Sequence, residues 1–265
     1  MKKISFIGCG NMASAIINGA LGAGFLTAED ICVFDIDSGK TDPMKEKGVA
    51  VSNSAQAAAE CSKYVLLAVK PQVFPAVLPQ IKDSLKNTNA ALISIGAGKT
   101  TEYIGSFLCE DTPIIRVMPN INARVGAAMS AVCSNGKASK EQIDFVLSLC
   151  KAFGEAMELS EDKFPLFGVI AGCSPAYSFM YIDALARAAV KNGMSKADAV
   201  KIAAQSVLGS AKTVLESGSH PWELVDSVCS PGGTTIEGVV SLEKDGFPSA
   251  VESAVEASLE KDKKL

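Results

Sequence analysis

The sequence predicts an α/β chain, a parallel sheet with crossover helices up to about residue 160 followed by an all-helical remainder. Three observations carry this. Short β-branched apolar runs alternate with helix-length amphipathic segments as far as Ser160. After Ser160 the strand signal stops and helix follows helix. The first strand runs straight into a glycine-rich turn that opens a helix. At 265 residues the chain lies where single cores tend to split, roughly 250 to 300 residues, so two domains, 1–160 and 161–265, are expected.

The strands are read, in order, at 3–7, 31–35, 64–69, 91–95, 114–118, 129–133 and 157–159, each a run rich in Ile, Val, Leu, Met, Phe or Ala. Between them the apolar spacing lengthens to helix periodicity over 12–23, 54–61, 73–85, 101–108 and 140–153. The last of these has a start signal. Ser139 followed three residues on by Gln142 is a capping box, in which each side chain accepts the other residue's backbone N–H. Beyond Ser160 helices are expected over 175–191 and 195–215. In the first, Tyr177, Met180, Tyr181, Ala184, Leu185, Ala188 and Ala189 recur at spacings of three and four. So broad an apolar face, dotted with small residues, predicts that this half packs against a second copy of itself.

Composition narrows the function. With 48% hydrophobic residues, 20% charged and a mean hydropathy of +0.24, the chain is expected to be folded and soluble. Net charge is -4 with Lys and Arg scattered among Asp and Glu, which argues against a nucleic-acid partner. No apolar stretch reads as long enough for a bilayer crossing, and the start lacks a secretory signal's apolar core, so no membrane partner and a cytoplasmic location are expected. Eight singly spaced cysteines suggest reduced packing residues, and a lone histidine, His220, argues against a His-based metal site, so no metal is expected. His220, in a Gly- and Ser-rich stretch before Pro221, reads as a turn residue.

Gly8, Gly10, Asn11, Met12 and Ala13 follow the first strand as G-x-G-N-M-A, matching G-x-G-x-x-A. The first glycine allows the tight turn, the second lets backbone approach a pyrophosphate, and Ala13 permits close helix–sheet contact. This predicts a dinucleotide-binding Rossmann domain. At the next strand end Asp35 suits the hydroxyls of an adenosine ribose and would repel a 2′-phosphate, which favours NAD over NADP, while neighbouring Ser38 and Lys40 can still embrace a phosphate, so NADH and NADPH both stay open. Further strand ends carry Ala68-Val69-Lys70-Pro71-Gln72, Ser94-Ile95-Gly96-Ala97-Gly98 and Met118-Pro119-Asn120, positions where an open α/β sheet binds ligands. Near the C-terminus, Ser230-Pro231-Gly232-Gly233-Thr234-Thr235-Ile236-Glu237 reads as a helix start with a second capping box, Thr234 with Glu237. Its free amides and hydroxyls suit a small carboxylate.

In order and spacing these segments resemble the pyrroline-5-carboxylate reductase family over essentially the whole chain. The resemblance rests on F-I-G-x-G-N-M-A, A-V-K-P-Q, R-V-M-P-N, a P-A-Y helix start after Gly172, and S-P-G-G-T-T before a final helical pair. It implies reduction of the cyclic imine L-Δ1-pyrroline-5-carboxylate to L-proline by NADPH or NADH, the last step of proline biosynthesis. It also implies a helical domain that interlocks with a partner subunit in a homodimer or larger homo-oligomer. By the same resemblance Gly8, Gly10, Asn11, Met12 and Ala13 hold the pyrophosphate and Asp35 or its neighbours read the ribose. Ala68, Lys70, Pro71, Met118, Pro119 and Asn120 border the nicotinamide and its ribose. Ser230, Gly233, Thr234 and Thr235 grip the substrate carboxylate, with the Thr235 hydroxyl facing the ring nitrogen. Lys70 is the next candidate for a catalytic role, against a surface ion pair, and the proton itself can come through water. The family usually has G-S-G-P-A-Y where this chain has Gly172-Cys173-Ser174-Pro175-Ala176-Tyr177, which questions the conformation of that turn. Two rivals share the fingerprint: a β-hydroxyacid dehydrogenase, whose K-x-x-x-N is absent after Lys191, and a dinucleotide-sensing module with no substrate site.

Overall fold

The computed structural model describes residues 1–263. They divide into two compact units, the first ending at Gly172 and the second beginning at Cys173. The first unit alternates strand and helix: β1 (Lys2–Ile7), α1 (Asn11–Gly22), β2 (Ile31–Phe34), α2 (Ser38–Lys45), β3 (Ala50–Val51), α3 (Ala55–Glu60), β4 (Ser62–Leu67), α4 (Phe74–Thr88), β5 (Ala91–Ser94), α5 (Thr101–Gly105), β6 (Ile114–Met118), β7 (Ala128–Ser134), α6 (Lys140–Lys151), β8 (Gly154–Glu158) and α7 (Phe164–Phe167). Two elements escape the periodicity argument. β3 is two residues long, and α2 contains Gly39 and Pro43, which read as turn residues.

The strands form one sheet in the order β3-β2-β1-β4-β5-β6-β7-β8. Chain direction therefore switches between β1 and β4, the position at which such sheets leave a crevice at their carboxyl ends. All neighbours are parallel except β6 and β7. That exception follows from their connection, which holds only the 3-10 turn Ile121–Val125 and no crossover helix. Apolar side chains fill both faces. Ile4, Phe6, Ile16, Ile17, Ile31 and Phe153 belong to one core, and Ile7, Val65, Leu67, Phe74, Leu78 and Ile81 to the other. The Ser139–Gln142 capping box forms as expected, the Gln142 N–H donating to Ser139 Oγ at 3.2 Å and the Ser139 N–H to Gln142 Oε1 at 2.9 Å.

The change from strand to helix falls after β8, whereas the first compact unit extends to Gly172. Side-chain bonds explain the difference. Glu161 accepts from the Thr101 N–H and Oγ, each at 2.8 Å, and pairs with the buried Arg116 guanidinium at 3.0 Å. Arg116 also stacks over the buried Phe164 ring, 4.6 Å from its centre.

The second unit consists of α8 (Ser174–Lys191), α9 (Lys196–Ser217), α10 (Pro221–Val228), α11 (Thr234–Lys244) and α12 (Phe247–Asp262). Tyr177 shares a 2.6 Å hydrogen bond with Ser258 Oγ, and Tyr181 packs on Phe247, which ties α8 to α12. Its buried apolar residues among those described are small, Pro175, Ala186, Ala199 and Ala203. Large ones stand in the open, among them Met180, 73% exposed, and Leu215, 83% exposed.

Four expectations change here. No side-chain cap starts α11: Gly233 is the N-cap and Thr234 already the first helical residue, so the Thr234–Glu237 capping box does not form. A capping box occurs instead at His220, whose Nδ1 accepts the Trp222 N–H at 3.2 Å while Glu223 accepts the His220 N–H at 3.1 Å. The suspected turn at Gly172-Cys173 is helical. Gly168–Cys173 forms a π-helical stretch and Cys173 has φ -90° and ψ -36°, which a cysteine adopts without strain. Finally, the helical run Glu161–Lys191 is long and apolar enough to cross a bilayer by length and composition, because no charged side chain occurs between Lys163 and Asp183.

Candidate functional site

The carboxyl ends of β1, β2, β4, β5 and β6 bring together most of the residues singled out from the sequence. Gly8 has φ +96°, a conformation that costs an L side chain energy, and a Cβ there would stand 2.8 Å from the Ala68 carbonyl carbon and oxygen. Only glycine lets β1 turn this close to the end of β4. A Cβ at Gly10 would meet nothing within 4 Å, so the space beside Gly10 is open. Gly10 is the N-cap of α1 and supplies no side-chain cap, which leaves the first amides of the helix, from Asn11 onward, presented to an anion. Ala13 is buried in the core beneath. The turn therefore fits a dinucleotide pyrophosphate by its own geometry.

Asp35 lies where expected, but both of its oxygens are engaged. Oδ2 accepts the Cys9 N–H of the glycine turn at 2.8 Å and Oδ1 accepts the Asp37 N–H at 3.0 Å. Its side chain is 9% exposed, with Lys40 Nζ 3.8 Å away. Lys40 also lies 3.6 Å from Asp37, whose carboxylate caps α2 by accepting the Gly39 N–H. The exposed lysine and the start of α2 thus stand beside Asp35, and the acid anchors the loop.

Beside the turn is a cavity of about 360 Å³ walled by Met12, Ala68, Val69, Lys70, Pro71, Ile95, Gly96, Ala97, Val117, Met118 and Pro119. Three strand ends therefore meet, as their sequences suggested. Gly96 is required here, because a Cβ would lie 2.4 Å from the Phe74 ring. Lys70 is exposed at the cavity rim with no ion-pair partner among the described residues, so the surface ion pair considered for it is absent. Pro71 does begin a short 3-10 turn, Pro71–Val73, before α4, so it both starts the helical segment and lines the cavity.

Asn120 does not line the cavity. Its Nδ2 donates to the Ala171 carbonyl at 2.9 Å and its Oδ1 accepts the Met129 N–H at 3.4 Å, so the buried amide is used within the protein. Sequence reasoning also passed over Arg116 and Glu161, 45 residues apart. No local pattern links them, and only the fold brings them into contact.

In the second unit, Gly232 has φ +69° and Gly233 is held against Ser230, whose carbonyl accepts the Gly233 N–H at 3.0 Å. A Cβ on Gly233 would lie 2.4 Å from Ser230 Oγ. The turn thus leaves Ser230, Thr234 and Thr235 exposed at the uncapped start of α11, an arrangement of hydroxyls and amides that can receive a carboxylate.

Comparison with known proteins identifies the family. The family model described as pyrroline-5-carboxylate reductase dimerisation matches residues 161–265, and that described as NADP oxidoreductase, coenzyme F420-dependent, matches residues 3–98. The pyrroline-5-carboxylate reductase of Escherichia coli is 44% identical over all of this chain and 98% of its own, and that of Methanosarcina acetivorans is 38% identical over the same shares. Among solved structures, the Coxiella burnetii pyrroline-5-carboxylate reductase superposes with a TM-score of 0.94 at 32% identity, covering 99% of this chain and 98% of that one. The Plasmodium falciparum pyrroline carboxylate reductase with NADP bound gives 0.87 at 31% identity, covering 99% and 97%. With its fold, its nucleotide turn and its full length all matched, the chain belongs to the pyrroline-5-carboxylate reductase family.

Proposed function

We propose that this chain reduces L-Δ1-pyrroline-5-carboxylate to L-proline with NADPH or NADH, the last step of proline biosynthesis. The observation that carries the reading is a nucleotide turn with open helix amides beside a strand-end cavity, in a chain alike end to end to reductases of that name. Bound NAD(P)H supplies the hydride. Everything else falls to the chain's own side chains and amides.

Gly8, Gly10, Asn11, Met12 and Ala13 hold the pyrophosphate at the start of α1. Ala68, Lys70, Pro71, Met118 and Pro119 enclose the nicotinamide end and exclude water from one side of it. Asp35 supports the glycine turn, and Ser38 and Lys40 offer a hydroxyl and a cation to the ribose or its phosphate. Ser230, Gly233, Thr234 and Thr235 bind the substrate carboxylate, with Thr235 hydrogen-bonding the imine nitrogen. Reduction adds a hydride to carbon and a proton to nitrogen, and an imine nitrogen already protonated accepts hydride readily. A strong general acid is dispensable, which suits a chain with one histidine, itself committed to a helix cap. Water, Thr235 or Lys70 carries the proton.

We read the second unit as a dimerisation and substrate-binding module and the protein as a homodimer or larger. A helical unit whose buried apolar residues are alanines and a proline, with Phe179, Met180 and Leu215 exposed, lacks the core to stand alone. The same argument accounts for the apolar run Glu161–Lys191 without a bilayer. The cytoplasmic reading is supported by the eight free cysteines. The test is loss of NAD(P)H absorbance on adding pyrroline-5-carboxylate, with proline identified as the product. No proline formed with either cofactor refutes the reading.

A further inference from the structure

The wall of the cavity is held from behind by a segment that itself does not line it. Met118 ends β6, Pro119 follows it, and both stand at the cavity. Residues 161–171 are fastened to the elements around these two, to Arg116 on β6, to Thr101 on α5 and to Asn120 just after β6. Glu161 pairs with Arg116, two residues before Met118, and with Thr101 at the start of α5. Phe164 is buried under the Arg116 guanidinium. Asn120, immediately after Pro119, donates to the Ala171 carbonyl and accepts from Met129 on β7. Fastenings therefore flank Met118-Pro119 on both sides. Between them Gly168 touches the wall: a Cβ on Gly168 would lie 3.2 Å from Met118 Sδ and 3.6 Å from Met118 Cε. Gly168 does not have a positive φ, so the backbone does not require glycine there; a Cβ would press instead on the end of the Met118 side chain.

We propose that residues 161–171 form a strap that sets the nicotinamide wall, with Gly168 and Asn120 as positioning residues acting through Met118 and Pro119. Resting on the reading that the cavity takes the nicotinamide, this deepens it. A thioether is flexible, so a side chain at 168 displaces Met118, which lines the cavity, before it displaces backbone. Misplacing a reacting group by about 1 Å costs on the order of 100-fold in rate.

The experiment compares Gly168→Ala, Gly168→Val and the double variant Gly168→Val/Met118→Ala with the unaltered enzyme. It reads NADPH affinity by nicotinamide fluorescence, kcat and KM with pyrroline-5-carboxylate, and melting temperature without ligands. The strap predicts a graded loss, about threefold in kcat for alanine and about 10- to 100-fold for valine, with NADPH binding weakened in step. It also predicts that trimming Met118 restores at least a third of the lost kcat, whereas a helix merely disturbed by valine would not recover. Unaltered kinetics in Gly168→Val, or a double variant no better than the single one, overturns the proposal. Unaltered enzyme that binds neither NADPH nor NADH overturns the underlying reading instead, whatever the variants do. Asn120→Asp gives a second arm. It removes the donor to Ala171 and should lower kcat with little change in the KM for pyrroline-5-carboxylate, and a change confined to that KM would contradict the strap.

Discussion

Replacing Asp35 by alanine separates two roles for the same carboxylate. If Asp35 only reads the ribose, its loss weakens cofactor binding and leaves the free protein as stable as before. If it supports the glycine turn, the free protein itself weakens. The structure favours support, since the carboxylate is 9% exposed and accepts the Cys9 and Asp37 amides at 2.8 and 3.0 Å. A hydrogen bond to a charged acceptor contributes roughly 1.5–3 kcal/mol, and partial rehydration of the two amides recovers some of it, so Asp35→Ala should cost about 2–4 kcal/mol. For a domain of this size that is a fall of roughly 5–15 °C in Tm. Asp35→Asn keeps one acceptor oxygen and should lose about half as much. Thermal melts without ligand give the first number, and titrations with NADH and NADPH the second. Both cofactors should weaken together, their ratio changing less than about threefold, because the turn assigned to the pyrophosphate serves both. A Tm within 1 °C of the parent, together with NADH alone weakened by about tenfold or more, refutes the reasoning and restores the ribose role.

Other outcomes follow from the same geometry. Gly8→Ala must fit a Cβ 2.8 Å from the Ala68 carbonyl at φ +96°, so it should lose about 2–4 kcal/mol and most NADPH affinity, checked by urea unfolding and fluorescence titration. Thr235→Ala should lower kcat/KM by about 10- to 1,000-fold while the NADPH Kd stays within twofold, because Thr235 is assigned to substrate alone. An unaltered rate removes Thr235 from the mechanism. Burial pushes the Cys133 and Cys150 thiols from 9.0 up to about 12, so the folded state favours the neutral thiol. Their contribution is complete below pH 9 and is lost as pH rises towards 12, which urea midpoints measured across that range will show as a decline. Asp183, held down to about 2 by Lys196 and then Arg187, should titrate nearer its ordinary value in Lys196→Ala, followed by NMR. Leu215→Asp, at an 83% exposed position, should shift the light-scattering mass towards monomer.

Much of this was legible because it is local. The Gly8–Ala13 turn, the cap at Ser139 and the alternation of strand with helix are set by neighbours within a few residues, and the structure places them where periodicity and cap chemistry put them. Local rules also misled. Thr234 and Glu237 have the spacing of a capping box, but Gly232 at φ +69° turns the chain so that Gly233 occupies the cap. His220 looked like a plain turn residue and is a cap, since imidazole Nδ1 can accept an amide as a carboxylate does.

The sequence alone determined the class of the protein: a nucleotide-binding α/β half, a helical half with an apolar surplus, and a set of strand-end motifs that name a reductase family. Tertiary structure decided what each side chain is used for. Asp35 and Asn120 have chemistry that suits a cofactor, and part of their hydrogen-bonding capacity is taken by backbone amides and a carbonyl that lie beside them only after folding. No local pattern links Arg116 with Glu161 and Phe164, and they converge because β6 and the segment after β8 are brought together by the fold. Hydrogen-bond capacity is finite, and which partner takes it depends on proximity in space, which spacing along the chain does not record.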